Sequence, residues 1–393
     1  MNTLLVCYLL IITIIILFYV LINSNVKYFH IATIDVVSAG EYSKFITILF
    51  DILLGESLSI DNCKWIFHNY SSSPWEKYWS DNILKFQNNV CPTLMQNDEF
   101  NKSITTLQYI IESQKSMANK SFSTPLYDTL LSKMYYRYDC SDPWLVQPLV
   151  SQYIEPLIGL LRDPLTICAT PPLPQSLVLD FEGAVQSKRF FLLGPSAAYQ
   201  NYDKPIKPIV PWLSPLPTSQ KILFDLGATY FLGSSDASIT TSQTIGTRWF
   251  HQYFLVHSLS FDRIIAFEVG QYPPPIYWKQ IPDDLMGKLT FINTGVEASG
   301  KFNPWNILKN IAKVEDYVII KLDIDSSGLE SELANQIIND KSISSLIDEM
   351  FFEMHVTVNE MKGFWGAPPG ELKDSYVLFT KLRQLGIRMH SWP

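Results

Sequence analysis

The sequence predicts an α/β protein whose C-terminal part is a doubly wound parallel sheet. Strand and helix signals alternate from residue 221 onward, and the strand segments are apolar throughout, as in sheets that helices cover on both faces. The chain has 393 residues, of which 47% are hydrophobic, so it can build more than one folded region. We expect this sheet to follow one N-terminal membrane helix and a helix-rich, disulfide-containing region at residues 26–201.

The membrane helix is predicted within residues 1–25. Residues 4–22 form 19 consecutive uncharged, mostly apolar positions, and about 20 apolar residues are needed to cross a bilayer as a helix. A cleaved signal peptide is the alternative, but its apolar core runs to roughly 7–15 residues and a small-residue cleavage site follows it. Because no such site comes directly after residue 22, we expect an uncleaved anchor.

The orientation of this anchor rests on two conflicting signals. Lys27 follows the helix and no basic residue precedes it, which alone would keep the rest of the chain in the cytoplasm. Against this, Asn69, Asn101 and Asn119 each begin a glycosylation sequon, and all three lie in one stretch. We therefore expect a single-pass type II membrane protein whose C-terminal part lies in the lumen of the endoplasmic reticulum or Golgi.

The distribution of cysteines agrees with a lumenal location. Four cysteines lie between the membrane segment and residue 221, and none follows. An even number confined to one region predicts two disulfides, with four unpaired buried thiols as the alternative. The simplest connectivity joins sequence neighbours, Cys63 with Cys91 and Cys140 with Cys168.

The charge balance argues against a nucleic-acid partner. The chain has 30 basic and 38 acidic residues, a net charge of −8. It contains no stripe of Lys and Arg interleaved with aromatic residues, which is the footprint that a polyanion requires.

Residues 26–201 show an irregular, helix-rich pattern that predicts no particular fold. Apolar residues spaced by three and four over residues 149–161 predict a helix with one buried face, kinked at Pro156. Two strands are predicted next, at residues 177–181 and 189–193. Residues 202–220 then hold five prolines, which remove backbone donors, so this segment is predicted to be an extended connector and a domain boundary.

From residue 221 the pattern predicts a regular alternation of the two element types. Strands are predicted at residues 222–226, 263–268, 289–293, 317–324, 350–355 and 387–390. Helices are predicted at residues 246–259, 277–281, 305–312, 328–338 and 371–385. Because a helix lies between each strand and the next, successive strands should be parallel.

In an open parallel sheet, ligands bind beyond the carboxyl ends of the strands, so the residues after each apolar run are diagnostic. Each of the first five strands ends on a polar group. These strand ends are Asp225-Leu-Gly227-Ala228, Glu268, Asn293, Asp323-Ile-Asp325 and Glu353-Met-His355. One carboxylate at a strand end often only caps backbone, but five consecutive polar strand ends predict a ligand site.

Two of these strand ends carry a family resemblance. Phe224-Asp225-Leu-Gly227-Ala228 resembles the first motif of Rossmann-like methyltransferases that use S-adenosylmethionine. Lys321-Leu-Asp323-Ile-Asp325, followed by Gly328-Leu-Glu330, is similar to the Lys-Ile-Asp-Val-Glu-Gly-x-Glu signature of the FkbM-type methyltransferases. The resemblance covers about residues 221–392 and departs from the family at Thr229-Tyr230-Phe231, where the family has Asn-x-Gly. Ser326 also replaces a glycine.

The resemblance implies S-adenosyl-L-methionine as cofactor. Gly227 would let the backbone approach its methionine end, and Glu268 would accept hydrogen bonds from two ribose hydroxyls. The implied cofactor-binding residues are Asp225, Gly227, Ala228, Glu268, Asn293, Asp323 and Asp325. The expected reaction is O-methylation of a hydroxyl acceptor, which is a small molecule or, given the compartment, a glycan.

His355 is the candidate general base. It follows Glu353 by two residues, so an extended strand would place both side chains on the same side. An unperturbed imidazole has a pKa near 6.5, which suits proton abstraction from a hydroxyl. A structural histidine is the alternative. The predicted catalytic residues are His355, Asp323 and Glu353.

Three other functions remain open. Asp323, Asp325, Glu353 and His355 have ligand types that suit Mg or Mn, although their spacing demands no metal. The missing second glycine would also fit a non-catalytic scaffold that kept the fold. Finally, Asp323-Ile-Asp325 has the Asp-x-Asp spacing of metal-dependent glycosyltransferases.

Overall fold

The computed structural model describes residues 64–90, 92, 128–129, 131–139, 149–157, 220–233, 246–256 and 260–392. These residues belong to one compact unit, Asp61–Pro393. They form a six-stranded parallel sheet with its helices and a smaller three-stranded antiparallel sheet. The predicted α/β class with a parallel sheet is therefore confirmed.

The six-stranded sheet has the strand order β6-β5-β4-β7-β8-β9, and every neighbouring pair is parallel. Its strands are β4 (Lys221–Leu226), β5 (Arg263–Phe267), β6 (Leu289–Ile292), β7 (Tyr317–Leu322), β8 (Glu349–Phe352) and β9 (Arg388–Ser391). Numbered within the sheet, this is the order 3-2-1-4-5-6 of doubly wound folds. The order reverses between β4 and β7, which places the ligand crevice at their carboxyl ends.

Of the seven described helices after residue 221, five begin and end close to the predicted positions, and the two four-residue helices were not predicted. The seven are α3 (Thr247–Val256), α4 (Pro274–Trp278), α5 (Pro304–Ile311), α6 (Ser327–Asn339), α7 (Lys341–Ser344), α8 (Lys362–Trp365) and α9 (Leu372–Gln384), with 3₁₀ turns at Asp283–Leu285 and Asn359–Met361. The largest shift is α4, which starts three residues before the predicted helix because Pro274 occupies its first turn. Strand β7 is buried along its whole length, as its apolar sequence predicts for a central parallel strand.

The described part of the N-terminal region is a meander rather than a set of helices. Strands β1 (Lys64–Ser71), β2 (Ser132–Asp139) and β3 (Leu149–Ile154) pair antiparallel in that order, and two short helices, α1 (Pro74–Asp81) and α2 (Ile83–Phe86), follow β1. The predicted helix at residues 149–161 is therefore wrong over β3. Its apolar residues fit a helical spacing, but Ser151, Tyr153 and Ile154 are buried by pairing with β2, a contact that local spacing does not encode.

A buried ion-pair network joins this small sheet to the edge of the large one. Arg383 of α9 is fully buried, with Nη1 3.3 Å from Oε2 of Glu76 and Nη2 3.3 Å from Oε1 of Glu155. His390 of β9 bridges Oε1 of Glu155 and Oε1 of Glu349, each at 2.6 Å. The described residues before and after the predicted connector therefore share one set of buried charges.

Several predictions concern residues outside those described. They are the membrane segment, the four cysteines and their pairing, Asn101, Asn119, the strands at residues 177–193 and nearly all of the connector. Among the described residues, no helix has the length and apolar character needed to span a bilayer. Asn69 is described: it lies exposed on β1, opposite Tyr135 of β2.

Candidate functional site

The predicted polar strand ends meet at the carboxyl edge of the parallel sheet, on both sides of the β4–β7 switch point. Asp225 and Glu268 belong to the β4–β5 side, and Asp323 and Glu353 to the β7–β8 side. Lys321, near the end of β7, connects the two sides because its Nζ donates to the carbonyl of Gly227 at 2.6 Å.

Lys321 is the central cation of the site. Its Nζ lies 3.1 Å from Oδ2 of Asp323 and 3.5 Å from Oδ1 of Asp225, and its side chain is almost fully buried. Burial lowers the pKa of Lys321, but Asp323 and Asp225 outweigh it and hold the pKa above its ordinary value. Lys321 is therefore a permanent charge that binds the end of β4 to the end of β7.

Asp225 lies beneath the ligand crevice. It is fully buried, and its Oδ2 accepts a hydrogen bond of 2.7 Å from the Thr247 hydroxyl at the start of α3. The positive end of a helix dipole favours a carboxylate at this position. Asp225 thus organises Lys321 and α3, and its predicted contact with a cofactor stays a prediction.

Gly227 permits a close approach between the ends of β4 and β7. A Cβ at this position would lie 1.8 Å from the carbonyl oxygen of Asp323, and its φ is +89°. The backbone N–H groups of Gly227 and Ala228 both donate to the Phe267 carbonyl, at 3.0 and 2.9 Å. Only glycine fits this position without a steric clash, and its predicted approach to a cofactor stays a prediction.

Glu268 stands at the end of β5, as predicted, and is held by two backbone amides. Its Oε2 accepts from Thr229 N at 2.9 Å and its Oε1 accepts from Gly270 N at 2.6 Å. The carboxylate therefore joins the loop after β4 to the loop after β5. Sequence reasoning located this residue but not its two amide partners.

Asn293, at the end of β6, shapes the loop beside Glu268. Its side-chain amide donates to the carbonyls of Glu268, at 3.0 Å, and Gly270, and its Oδ1 accepts from Tyr272 N at 3.1 Å. Tyr272 in turn stacks on Tyr230, with ring centroids 4.0 Å apart and planes inclined by 20°. Asn293 therefore positions the loop, and the tyrosine pair forms an aromatic wall that strand-end reasoning missed.

Asp323 and Glu353 form a carboxyl pair, because they directly follow the paired strand ends Leu322 of β7 and Phe352 of β8. Burial raises the pKa of Asp323, but Lys321 outweighs it and lowers that pKa below its ordinary value. For Glu353, burial raises the pKa and the Asp323 charge raises it further. Glu353 is therefore the more basic carboxyl group of the pair.

His355 lies beside Glu353, as predicted, but its surroundings change its chemistry. Its Nδ1 is 3.3 Å from Oε2 of buried Glu330, and its Nε2 is 3.7 Å from Oε1 of Glu353. Burial lowers the pKa of His355, yet the adjacent carboxyl groups of Glu330 and Glu353 outweigh burial and raise that pKa to about 10. This environment favours the imidazolium, which has no lone pair for a proton, so the predicted general-base role would require His355 to lose its proton first.

Asp325 stands apart from Asp323. Its side chain is 93% exposed and its Oδ1 is 4.0 Å from Nε2 of His355. In the described part of the chain, no group of three or more His, Cys, Asp or Glu side chains is arranged to hold a metal ion.

Two non-glycine residues among those described have positive φ, Thr229 at 52° and Asp325 at 54°. For a β-branched residue such as Thr229 this conformation is uncommon and costly. Both lie in the strand-end loops of this site. Such strain tends to accumulate at functional sites, where the surrounding structure holds it in place.

Comparison of the chain with protein-family models, curated proteins and solved structures gives no significant match.

Proposed function

We propose that this protein is an S-adenosylmethionine-dependent methyltransferase that acts on a hydroxyl acceptor, a small molecule or a glycan, in the lumen of the secretory pathway. The proposal rests on the different carboxyl groups that lie on the two sides of the β4–β7 switch point. Glu268 presents a carboxylate on the β4–β5 side, while Asp323 and Glu353 present a carboxyl pair on the β7–β8 side.

Glu268 suits a ribose ring. A carboxylate offers about four acceptor positions, of which the amides of Thr229 and Gly270 use two, one on each oxygen. One position per oxygen remains for a hydroxyl donor. Two amides on a buried carboxylate also fix its orientation before a ligand arrives, which reduces the cost of binding a vicinal diol.

The β7–β8 side suits a cationic group. Asp323, Asp325, Glu330 and Glu353 provide four carboxyl groups, against the two cationic side chains of Lys321 and His355. When bound, S-adenosylmethionine would supply an electrophilic methyl group on a positively charged sulfur. The excess of acidic groups on this side favours that charge, and alignment of the acceptor would provide much of the rate.

Glu353 is the group best placed to take a proton from the acceptor hydroxyl. Its raised pKa makes its carboxylate a stronger base than that of Asp323. Protonated His355 then serves as a fixed positive charge that orients Glu353. This assignment keeps Asp323, Glu353 and His355 together, as the sequence predicts, but moves the base from the imidazole to the carboxyl group.

The experiment that tests this function is calorimetric titration of the full-length protein with S-adenosylhomocysteine. We expect binding by the wild type, and at least tenfold weaker binding by Glu268→Gln, because hydrogen bonds to a charged acceptor contribute about 1.5–3 kcal/mol each. Glu332→Gln is the matched control, since Glu332 is an exposed carboxylate on α6. It should bind like the wild type.

Two results would contradict the proposal. If the folded wild type does not bind S-adenosylhomocysteine, the fold is used for something else, and a non-catalytic scaffold becomes the better hypothesis. If a nucleotide sugar with Mn²⁺ raises the melting temperature while S-adenosylhomocysteine does not, the glycosyltransferase alternative is favoured.

A further inference from the structure

The loop between β8 and α9, residues 353–371, carries the acid–base groups of the site. Glu353 and His355 begin it, and Trp365 of α8 returns to contact both. The Trp365 Nε1–H donates to Oε1 of Glu353 at 2.9 Å, and the indole lies edge-on to the His355 ring with centroids 5.3 Å apart. The position of Trp365 therefore affects the orientation and protonation of Glu353.

This loop has little regular structure to hold its own shape. Gly366 and Gly370 have positive φ, and Pro368 and Pro369 lie between them without backbone donors. A hydrogen bond of 3.0 Å from Thr357 N to the Gly370 carbonyl joins the two ends of the loop, and we call this closed end the loop neck. Additional support has to come from outside the loop.

That support comes from the N-terminal region. Gln87, which follows α2, is buried, and its side-chain amide forms two hydrogen bonds. Nε2 donates to the Thr357 carbonyl at 2.6 Å, and Oε1 accepts from Leu372 N at 2.7 Å. Thr357 lies at one side of the loop neck and Leu372 at the other. The neighbouring Asn88 adds a carbonyl that accepts from Asn359 Nδ2 at 3.5 Å.

We propose that Gln87 is a positioning residue of this site, through which the N-terminal region sets the Trp365 loop and thereby the Glu353 carboxyl. Glutamine is suited to the task because one neutral side chain supplies both a donor and an acceptor. Without it, a buried carbonyl and a buried amide at the loop neck lose their partners. The effect expected on turnover rests on the proposed function, whereas the effect on Trp365 does not.

The test uses the full-length chain labelled with 5-fluorotryptophan, which gives ten tryptophan ¹⁹F resonances. The resonance that is missing from the Trp365→Phe variant is the one that belongs to Trp365. Gln87→Met removes both hydrogen bonds at similar length, and Gln87→Glu keeps the acceptor for Leu372 N but loses the donor to Thr357. Lys85→Met, an exposed change on α2, is the matched control. We expect the Trp365 resonance to shift or broaden strongly in both Gln87 variants, because Gln87→Glu turns an acceptor toward the Thr357 carbonyl, and to stay unchanged in Lys85→Met.

In the same variants, the affinity for S-adenosylhomocysteine should change less than twofold while kcat falls about tenfold in Gln87→Met. An unchanged Trp365 resonance in both folded Gln87 variants overturns the proposal. So does a simultaneous change of all ten resonances in both variants, because Gln87 would then support the whole fold rather than this loop. If no form of the protein binds S-adenosylhomocysteine, the methyltransferase function fails, but the resonances still decide the role of Gln87.

Discussion

At the scale of single residues, ion pairs between buried side chains set the charge states in the site. Lys321 is a buried cation that faces Asp225 and Asp323, and His355 is a cation between Glu330 and Glu353. Strand-end reasoning found Asp225, Asp323 and His355. It could not assign their charge states, because each charge state depends on burial and on partners from other elements.

His355 makes a prediction about pH. Its pKa in the folded protein, about 10, lies above its unfolded value near 6.5, so the folded state holds the proton more tightly. The resulting stability is fully present below pH 6.5 and is lost as the pH rises toward 10. We expect the melting temperature of the wild type to exceed that of His355→Gln at pH 6, and the difference to shrink steadily up to pH 10.

Comparing the two proteins at each pH cancels the titration of groups that do not contact His355. Asp325, Glu330 and Glu353 face the imidazole in the wild type and remain in the variant, where they no longer face its charge. A difference in melting temperature that stays constant from pH 6 to pH 10 would show that His355 is not protonated in the folded protein.

At the scale of elements, β3 shows where periodicity misleads. Its residues lie in an antiparallel meander because Ser132–Arg137 of β2 pairs with them, and neither strand would persist alone. The parallel strands from residue 221 were recovered because most of them contain a short apolar run and are separated from the next strand by helical periodicity. In β3, the polar residue Ser151 occupies a buried position, so the strand has no continuous apolar run.

The buried network between α9, β9 and the small sheet makes a prediction about stability. Arg383→Met removes the cation that faces Glu76 and Glu155 and leaves their buried carboxylates with less compensation. Removing one partner of a buried ion pair costs about 3–5 kcal/mol, so chemical denaturation should show a loss of stability of this size. Lys381→Met, an exposed change on the same helix, should leave the unfolding midpoint almost unchanged.

A second variant separates the ion pair from packing. Adding Glu76→Gln to Arg383→Met removes one of the uncompensated charges, and the double variant should recover part of the lost stability. If the double variant is no more stable than Arg383→Met alone, the loss comes from the volume and hydrogen bonds of the arginine rather than from its charge.

At the scale of the whole molecule, the described residues of the N-terminal region belong to the same compact unit as the parallel sheet. Glu76, Gln87 and Glu155 precede the proline-rich connector, yet all three contact buried groups of the parallel-sheet part. This explains why the fold of residues 26–201 could not be derived on its own. Its polar core positions are complementary to charges on β9, α9 and the β8–α9 loop, which lie more than 200 residues away in sequence.

Glycosylation of Asn69 tests the cellular compartment that we predict for this protein. The side chains of Asn69 and Ser71 are exposed on β1, while Tyr70 between them is buried, so the strand alternation presents the sequon to solvent. Expression in a eukaryotic host should give a glycosidase-sensitive mass shift that decreases by one glycan in Asn69→Gln and persists in Ser71→Thr. No glycosidase-sensitive shift in the wild type would place this domain in the cytoplasm, as Lys27 alone suggests.

The amino-acid pattern by itself determined that residues from 221 onward form a parallel doubly wound sheet with polar groups at its carboxyl edge, because strand apolarity and helical periodicity are local properties. Only the tertiary structure decided what those groups do. Gly227 admits the backbone of Asp323, Glu268 holds two loops, and Lys321 reaches the Gly227 carbonyl 94 residues earlier in the chain. Such roles depend on burial and on partners distant in sequence, and the Coulomb and desolvation energies that select them arise only when the chain is folded.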